Sequence, residues 1–179
     1  MLKAIMPKQF ATSVYDIDFK RLQRRGIKAA IFDLDNTLVE MSCPDATPRL
    51  VNWLNQLQKM GFRVMIVSNN SRTRVSRFAL PLGVPYIHRA MKPLSKAFIE
   101  AMRRMESRPE ETAVIGDQLF TDVLGGNRLG LYTILVAPIS HVEGFWTKIN
   151  RRMERLAFNF LRKRGLLEGE NHHDGRSPV

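Results

Sequence analysis

Asp33 and Asp35 stand two residues apart in Ile31-Phe32-Asp33-Leu34-Asp35-Asn36-Thr37-Leu38, directly after the apolar run 29–32. Where a strand opens into a loop, such a pair lets one carboxylate attack an electrophile while the other moves protons. On a phosphate ester, the attacking aspartate divides hydrolysis into two displacements. Its partner protonates the departing alkoxide and then activates water. Three more segments carry matching chemistry. Ser68, in Val67-Ser68-Asn69-Asn70, offers a hydroxyl to phosphoryl oxygens, and Asn69 and its neighbours offer backbone N–H groups. Lys92, in Met91-Lys92-Pro93, brings an ammonium able to balance the nucleophile and a transferring phosphoryl group. Asp117 and Asp122, in Ile115-Gly116-Asp117-Gln118-Leu119-Phe120-Thr121-Asp122, add hard oxygen donors of the kind magnesium takes alongside substrate phosphate and water.

Each segment has a plainer reading when taken alone. An acidic pair after a strand is often merely solvated, Ser68 and Asp122 could cap helices, and Lys92 is one of 28 basic residues. The elements around them argue for a site. From Lys28 onward short apolar runs alternate with helical patterns, which indicates a parallel sheet with crossover helices. Strands are predicted at 29–32, 62–67, 112–115 and 131–136, with a weaker one at 85–87. Thr47 and Pro48 read as cap and first residue of a helix closed by Gly61, with Leu50, Trp53, Leu54 and Leu57 on its apolar face. Further helices are expected at 73–80, at 93–106 opened by Pro93, and at 119–129 before Gly130. The fold class is therefore α/β, a doubly wound parallel sheet of about five strands. Such sheets bind ligands outside the carboxyl ends of their strands, where all four segments fall.

In that order the four segments resemble the signatures of the haloacid dehalogenase superfamily, a DxDxT strand end, a serine or threonine, a lysine and a GDxxxxD segment. The resemblance spans residues 28–138. It implies that Asp33 is the nucleophile and Asp35 the acid/base, that Ser68 and Lys92 bind phosphate, and that the cofactor is Mg2+. Its shell would comprise Asp33, the Asp35 backbone carbonyl and Asp117, with Asp122 supporting Asp117 or reaching the metal through water. An aspartate at position 35 is what the superfamily's phosphatases carry, whereas its transport ATPases have threonine there and its phosphonate-cleaving members alanine.

Tyr15-Asp16-Ile17-Asp18, the Gly26-Ile27-Lys28 approach and the IFDLDNTLV strand give a nearer resemblance, over almost the whole chain, to the YqeG-type, class IIIA members. That group is similar to mitochondrial phosphatases acting on phosphatidylglycerophosphate. The resemblance thus implies an anionic lipid substrate and a role in phosphatidylglycerol synthesis.

Bulk properties fit one catalytic domain with trimmings: 1–26 an N-terminal extension, 27–140 the catalytic domain, 141–166 a basic amphipathic helix, and 167–179 a polar, disordered tail. Neither gap that hosts a cap in the superfamily is long, so the site should be open, suiting a large or surface-bound substrate unless a second subunit supplies a lid in an oligomer. Phe145, Ile149, Met153, Leu156 and Phe160 recur at helical spacing among basic residues. That helix could lie on an anionic membrane or pack on its own core.

The chain has 28 basic and 17 acidic residues, a net charge of +11, which calls for a polyanionic partner. With no apolar run long enough to span a bilayer and no secretory leader, a cytoplasmic protein is expected, peripheral to the inner face of the membrane. Two other functions share the same features: a soluble nucleotide or sugar phosphate phosphatase, and a nucleic-acid or ribosome-associated factor. The second is disfavoured by the absence of a recognised RNA-binding motif and by how little the aromatic residues interleave with the basic ones. Cys43 reads as an inert loop thiol. His88, His141, His172 and His173 lack metal-ligand spacing, and Gly125, Gly126 and Gly130 read as turn and close-packing residues.

Overall fold

In the computed structural model, residues 2–139 are described here. Six parallel strands form one sheet: β1 (Gln9–Ala11), β2 (Ala29–Phe32), β3 (Arg63–Val67), β4 (Tyr86–Ile87), β5 (Thr112–Gly116) and β6 (Tyr132–Val136). Their spatial order is β1-β6-β5-β2-β3-β4. The helices are α1 (Phe19–Arg24), α2 (Pro48–Lys59), α3 (Arg72–Ala79), α4 (Ser95–Arg104) and α5 (Leu124–Arg128), the last preceded by a π turn at Leu119–Val123.

The central strands alternate their side chains between two cores. Ala30, Phe32, Val64, Ile66, Ala113 and Ile115 face the core built by α1, α2 and α3. Ala29, Ile31, Met65, Val67 and Val114 face the one built with α4. A strand covered on both faces has no polar alternation, which is why β2 is the unbroken run Ala-Ala-Ile-Phe, buried throughout. On the first face Phe19 meets Trp53 and Phe62 edge-on, with ring centroids 5.7 and 5.2 Å apart. On the second, the glycines of α5 permit close approach: a Cβ at Gly125 would overlap Phe98, and one at Gly126 would stand 2.6 Å from Thr133 Cγ2.

Two expectations need correction. The sheet has six strands, not about five, because the segment 1–26 supplies edge strand β1, while its Val14, Ile17, Phe19 and Leu22 enter the first core. Three residues with a half-exposed Phe10 and a polar Gln9 carry too little period-two signal to announce a strand. Pro93 does not open α4, which begins at Ser95 after Leu94. The backbone of Lys92 is instead held by the Asn69 amide, whose Oδ1 accepts the Lys92 N–H at 2.7 Å and whose Nδ2 donates to the Lys92 carbonyl at 3.2 Å.

The chain leaves β2 for β3 and β4 on one side and returns to β5 and β6 on the other, so β2 sits at the switch in strand order. Among the described residues no domain is inserted between β2 and β6, and no helix is long and apolar enough to cross a membrane. The expected amphipathic helix at 141–166 and the tail at 167–179 lie outside the described residues.

Candidate active site

Each chemically able residue follows a strand at the carboxyl edge of the sheet. Asp33 directly succeeds β2, and its N–H donates to the Ile115 carbonyl of β5 at 2.9 Å, which keeps the carboxylate at the mouth between the two strands. Asn36 then turns the chain sharply with φ +65°, a left-handed conformation that asparagine tolerates. The turn closes through the Asn36 N–H to the Val39 carbonyl at 2.7 Å.

At the centre of the site is a buried ion triad. Lys92 Nζ donates to Asp33 Oδ1 and to Asp122 Oδ1, both at 2.6 Å. Asp122 Oδ2 also accepts the Gln118 N–H at 3.3 Å, so this residue both caps the π turn and anchors the lysine. Thr37 Oγ1 donates to Asp117 Oδ1 at 3.3 Å. Asp33, Asp117 and Asp122 each bring a carboxylate oxygen within 4.8 Å of the others, all buried. Three hard anionic oxygens so close are a donor set fit for a small divalent cation. Asp35 is outside that group, and so is His88, which packs beside Tyr86.

Burial pushes the Asp33 carboxyl up to about 6; the Lys92 ammonium opposes that shift, while the neighbouring Asp122 and Asp35 charges add to it. At neutral pH Asp33 is still mainly ionised and able to attack. Burial alone would lower the Lys92 pKa, but the Asp122 and Asp33 charges outweigh it and raise it, fixing the ammonium as a permanent cation.

The Asp35 carboxylate is held by α3 and the loop before it. Arg74 reaches its Oδ1 with Nη2 at 2.9 Å and Nε at 3.0 Å, and Asn70 Nδ2 donates to Oδ2 at 2.9 Å. Arg74 also donates to the carbonyls of Pro44 at 3.1 Å and Glu40 at 3.3 Å, tying the loop after β2 to the same carboxylate. Ser68 is buried, its backbone hydrogen-bonded to Ile87 and Ala90, and its Oγ accepts the Asn70 N–H at 3.1 Å. It does not cap α3. Ser71 does that, accepting the Arg74 N–H. The Asn69 side-chain amide is engaged at both ends by the Lys92 backbone.

A hydrolase family described as haloacid dehalogenase-like hydrolase matches residues 42–130, which contain Ser68, Lys92, Asp117 and Asp122. "Probable phosphatase YqeG" of Bacillus subtilis (strain 168) is 47% identical over 168 residues, covering 94% of this chain and 98% of that protein. The chain belongs to the haloacid dehalogenase-like hydrolases. It is a phosphatase of that family. "Phosphatidylglycerophosphate phosphatase 1, chloroplastic/mitochondrial" of Arabidopsis thaliana is 28% identical over 92% of this chain, which spans 49% of that protein's length. Among solved structures, the cobalt-bound deoxy-D-mannose-octulosonate 8-phosphate phosphatase of Haemophilus influenzae shares the fold. It aligns with a TM-score of 0.52 and 18% identity over 79% of this chain and 91% of that one.

Two residues that sequence reasoning left without a role take one in this phosphatase. Gly116 ends β5 beneath Asp122, and a Cβ there would overlap the Asp122 carboxyl group. Gly116→Ala therefore displaces Asp122 from Lys92. Turnover is expected to fall about a hundredfold and stability by about 1–3 kcal/mol, read by phosphate release and urea melts; unchanged turnover would show that the carboxylate relocates without consequence. Arg74 fixes the direction in which Asp35 can act. Arg74→Met is expected to lower kcat roughly 10- to 100-fold, with KM moving less than about threefold and partial rescue in Arg74→Lys. A loss confined to KM would mean that Arg74 binds substrate instead.

Proposed function

We propose that the protein hydrolyses phosphatidylglycerophosphate to phosphatidylglycerol with magnesium, through a phosphorylated Asp33. The Asp33 carboxylate attacks phosphorus while Asp35 protonates the departing glycerol oxygen. Asp35 then takes a proton from the water that releases phosphate from Asp33. Lys92 and the Ser68 hydroxyl, with the Asn69 N–H, balance charge on the phosphoryl oxygens. Asp33, Asp117, Asp122 and the Asp35 backbone carbonyl would hold Mg2+, which when bound supplies Lewis-acid stabilisation of phosphoryl charge.

The observation that carries the lipid reading is the extent of the likeness to the Arabidopsis phosphatase, 92% of this chain, well beyond the segments that carry the chemistry. A mouth with no inserted domain among the described residues also suits a headgroup presented at a bilayer. The enzyme would then work at the inner face of an anionic membrane. The test is phosphate release from phosphatidylglycerophosphate in mixed micelles, with and without magnesium, beside nucleotide and sugar phosphates. Selective, magnesium-dependent release from the lipid is expected; turnover of soluble esters alone would discard the lipid and retain the phosphatase.

A further inference from the structure

Positive charge is not spread evenly along the chain. Between Asp45 and Glu100 there is no acidic residue, yet this stretch holds nine basic ones: Arg49, Lys59, Arg63, Arg72, Arg74, Arg77, Arg89, Lys92 and Lys96. Nine of the chain's net +11 charges therefore lie in 54 consecutive residues, positions 46 to 99. Topology gathers most of them at the sheet's carboxyl edge. Arg72 and Arg74 lie in the first turn of α3, Arg89 follows β4, and Lys96 is in the first turn of α4. Arg72, Arg77, Arg89 and Lys96 are exposed and lie outside the buried ion triad.

Apolar side chains protrude from the same edge. Met91 and Leu94 are 62% and 54% exposed on either side of Lys92 and Pro93, and the turn holding them closes through the Leu94 N–H to the Met91 carbonyl at 3.0 Å. The Arg89 N–H donates to the Asn70 carbonyl at 2.9 Å, which fixes this loop against the one after β3. Across the mouth, Met41 is 39% exposed and lines a hollow of about 480 Å³ with Arg74 and Arg77. Core formation does not ask for three unburied apolar side chains around a polar catalytic centre.

We infer that this rim, Met41, Met91 and Leu94 set among Arg72, Arg77, Arg89 and Lys96, is a membrane-docking face that seats the active-site mouth on an anionic bilayer. Basic side chains meet lipid phosphates while the short apolar ones enter between headgroups, an arrangement in which the two contributions add. A nucleic acid would satisfy the charge but not these side chains, which are thioether and aliphatic instead of the aromatic platforms on which unpaired bases stack. The choice of a lipid bilayer as partner rests on the phosphatidylglycerophosphate reading. The docking itself can be measured without turnover.

The experiment is co-sedimentation of the full chain with vesicles of phosphatidylcholine, with and without one-third phosphatidylglycerol, for wild type, Met91→Asp/Leu94→Asp and Arg72→Glu/Arg89→Glu. Wild type should bind the anionic vesicles, and each double variant should bind them at least about tenfold more weakly. The ratio of turnover on vesicle lipid to turnover on a water-soluble, truncated-chain analogue of the same phosphate ester should fall in parallel. Far-ultraviolet circular dichroism selects variants that fold, with Met91→Ser/Leu94→Ser as the milder alternative. Wild-type-like binding by both variants overturns the docking face, as does binding to RNA that responds to the arginine variant alone. Failure to release phosphate from the vesicle lipid and from the soluble analogue alike, with vesicle binding intact, removes the lipid substrate and leaves the docking face standing.

Discussion

Asp33→Asn is expected to leave phosphate release at or below about one ten-thousandth of wild type, since an amide can neither attack phosphorus nor carry the phosphoryl group between two displacements. The variant should also fail to acquire the mass of one phosphoryl group when substrate-treated protein is quenched in acid, whereas wild type acquires it. Melts separate this loss from misfolding. In the metal-free protein, burial lifts the Asp33 carboxyl from 3.8 to about 6. Below about pH 3 it is neutral in both the folded and the unfolded chain. As pH rises through that window the unfolded chain releases its proton first, so stability present at low pH is lost as pH passes 6. The variant has no such group. Between pH 3 and 8 the stability difference should therefore move in favour of Asp33→Asn, by up to about 3 kcal/mol. Residual turnover above one per cent would remove Asp33 from the nucleophile's role, and a difference flat with pH would mean that its charge is not destabilised by burial.

The sheet was legible because buried parallel strands write themselves as unbroken apolar runs: β2 matches its predicted span, and β3 and β5 differ from theirs by one residue at one end. The site was legible as four segments because the carboxyl edge of such a sheet is one place in space, although its residues are 89 positions apart from Asp33 to Asp122. What escaped were the connections between segments. Arg74 is 39 residues from Asp35 and reads in the sequence as one more arginine on an amphipathic helix. Asn69 looked like a phosphate-loop residue, yet its side chain spans 23 positions to pin the Lys92 backbone. The grip of Asn69 on Lys92, which delays α4 to Ser95, belongs to tertiary structure and leaves no periodic mark. Asp122 posed two readings, a cap or a site residue, and its two oxygens divide between them: Oδ2 takes the Gln118 N–H and Oδ1 takes Lys92.

Lys92→Met should damage both stability and turnover while keeping the volume of the site nearly unaltered. The ammonium is 2.6 Å from both Asp33 and Asp122, and all three side chains are buried. Removing the cation leaves two buried carboxylates with no counter-charge, a loss on the order of 3–5 kcal/mol. The Asp33 carboxyl, raised already by burial, then loses its main opposing influence while keeping the repulsion of Asp122, so its pKa rises further. Two results follow. At neutral pH a larger share of Asp33 is protonated and cannot attack, and with phosphoryl charge unbalanced the turnover should fall by at least about a thousandfold. Destabilisation should be greatest at pH 8 and smallest near pH 5, where protonation relieves the repulsion, since a folded-state pKa that rises removes stability as pH climbs. Lys92→Arg separates charge from shape, because it keeps the cation but cannot place a planar fork where a single ammonium bridges two carboxylates. It should recover part of the stability and little of the turnover. If Lys92→Met melted like wild type at both pH values, the two carboxylates would have to be sharing a proton, and the lysine would be a phosphate ligand alone.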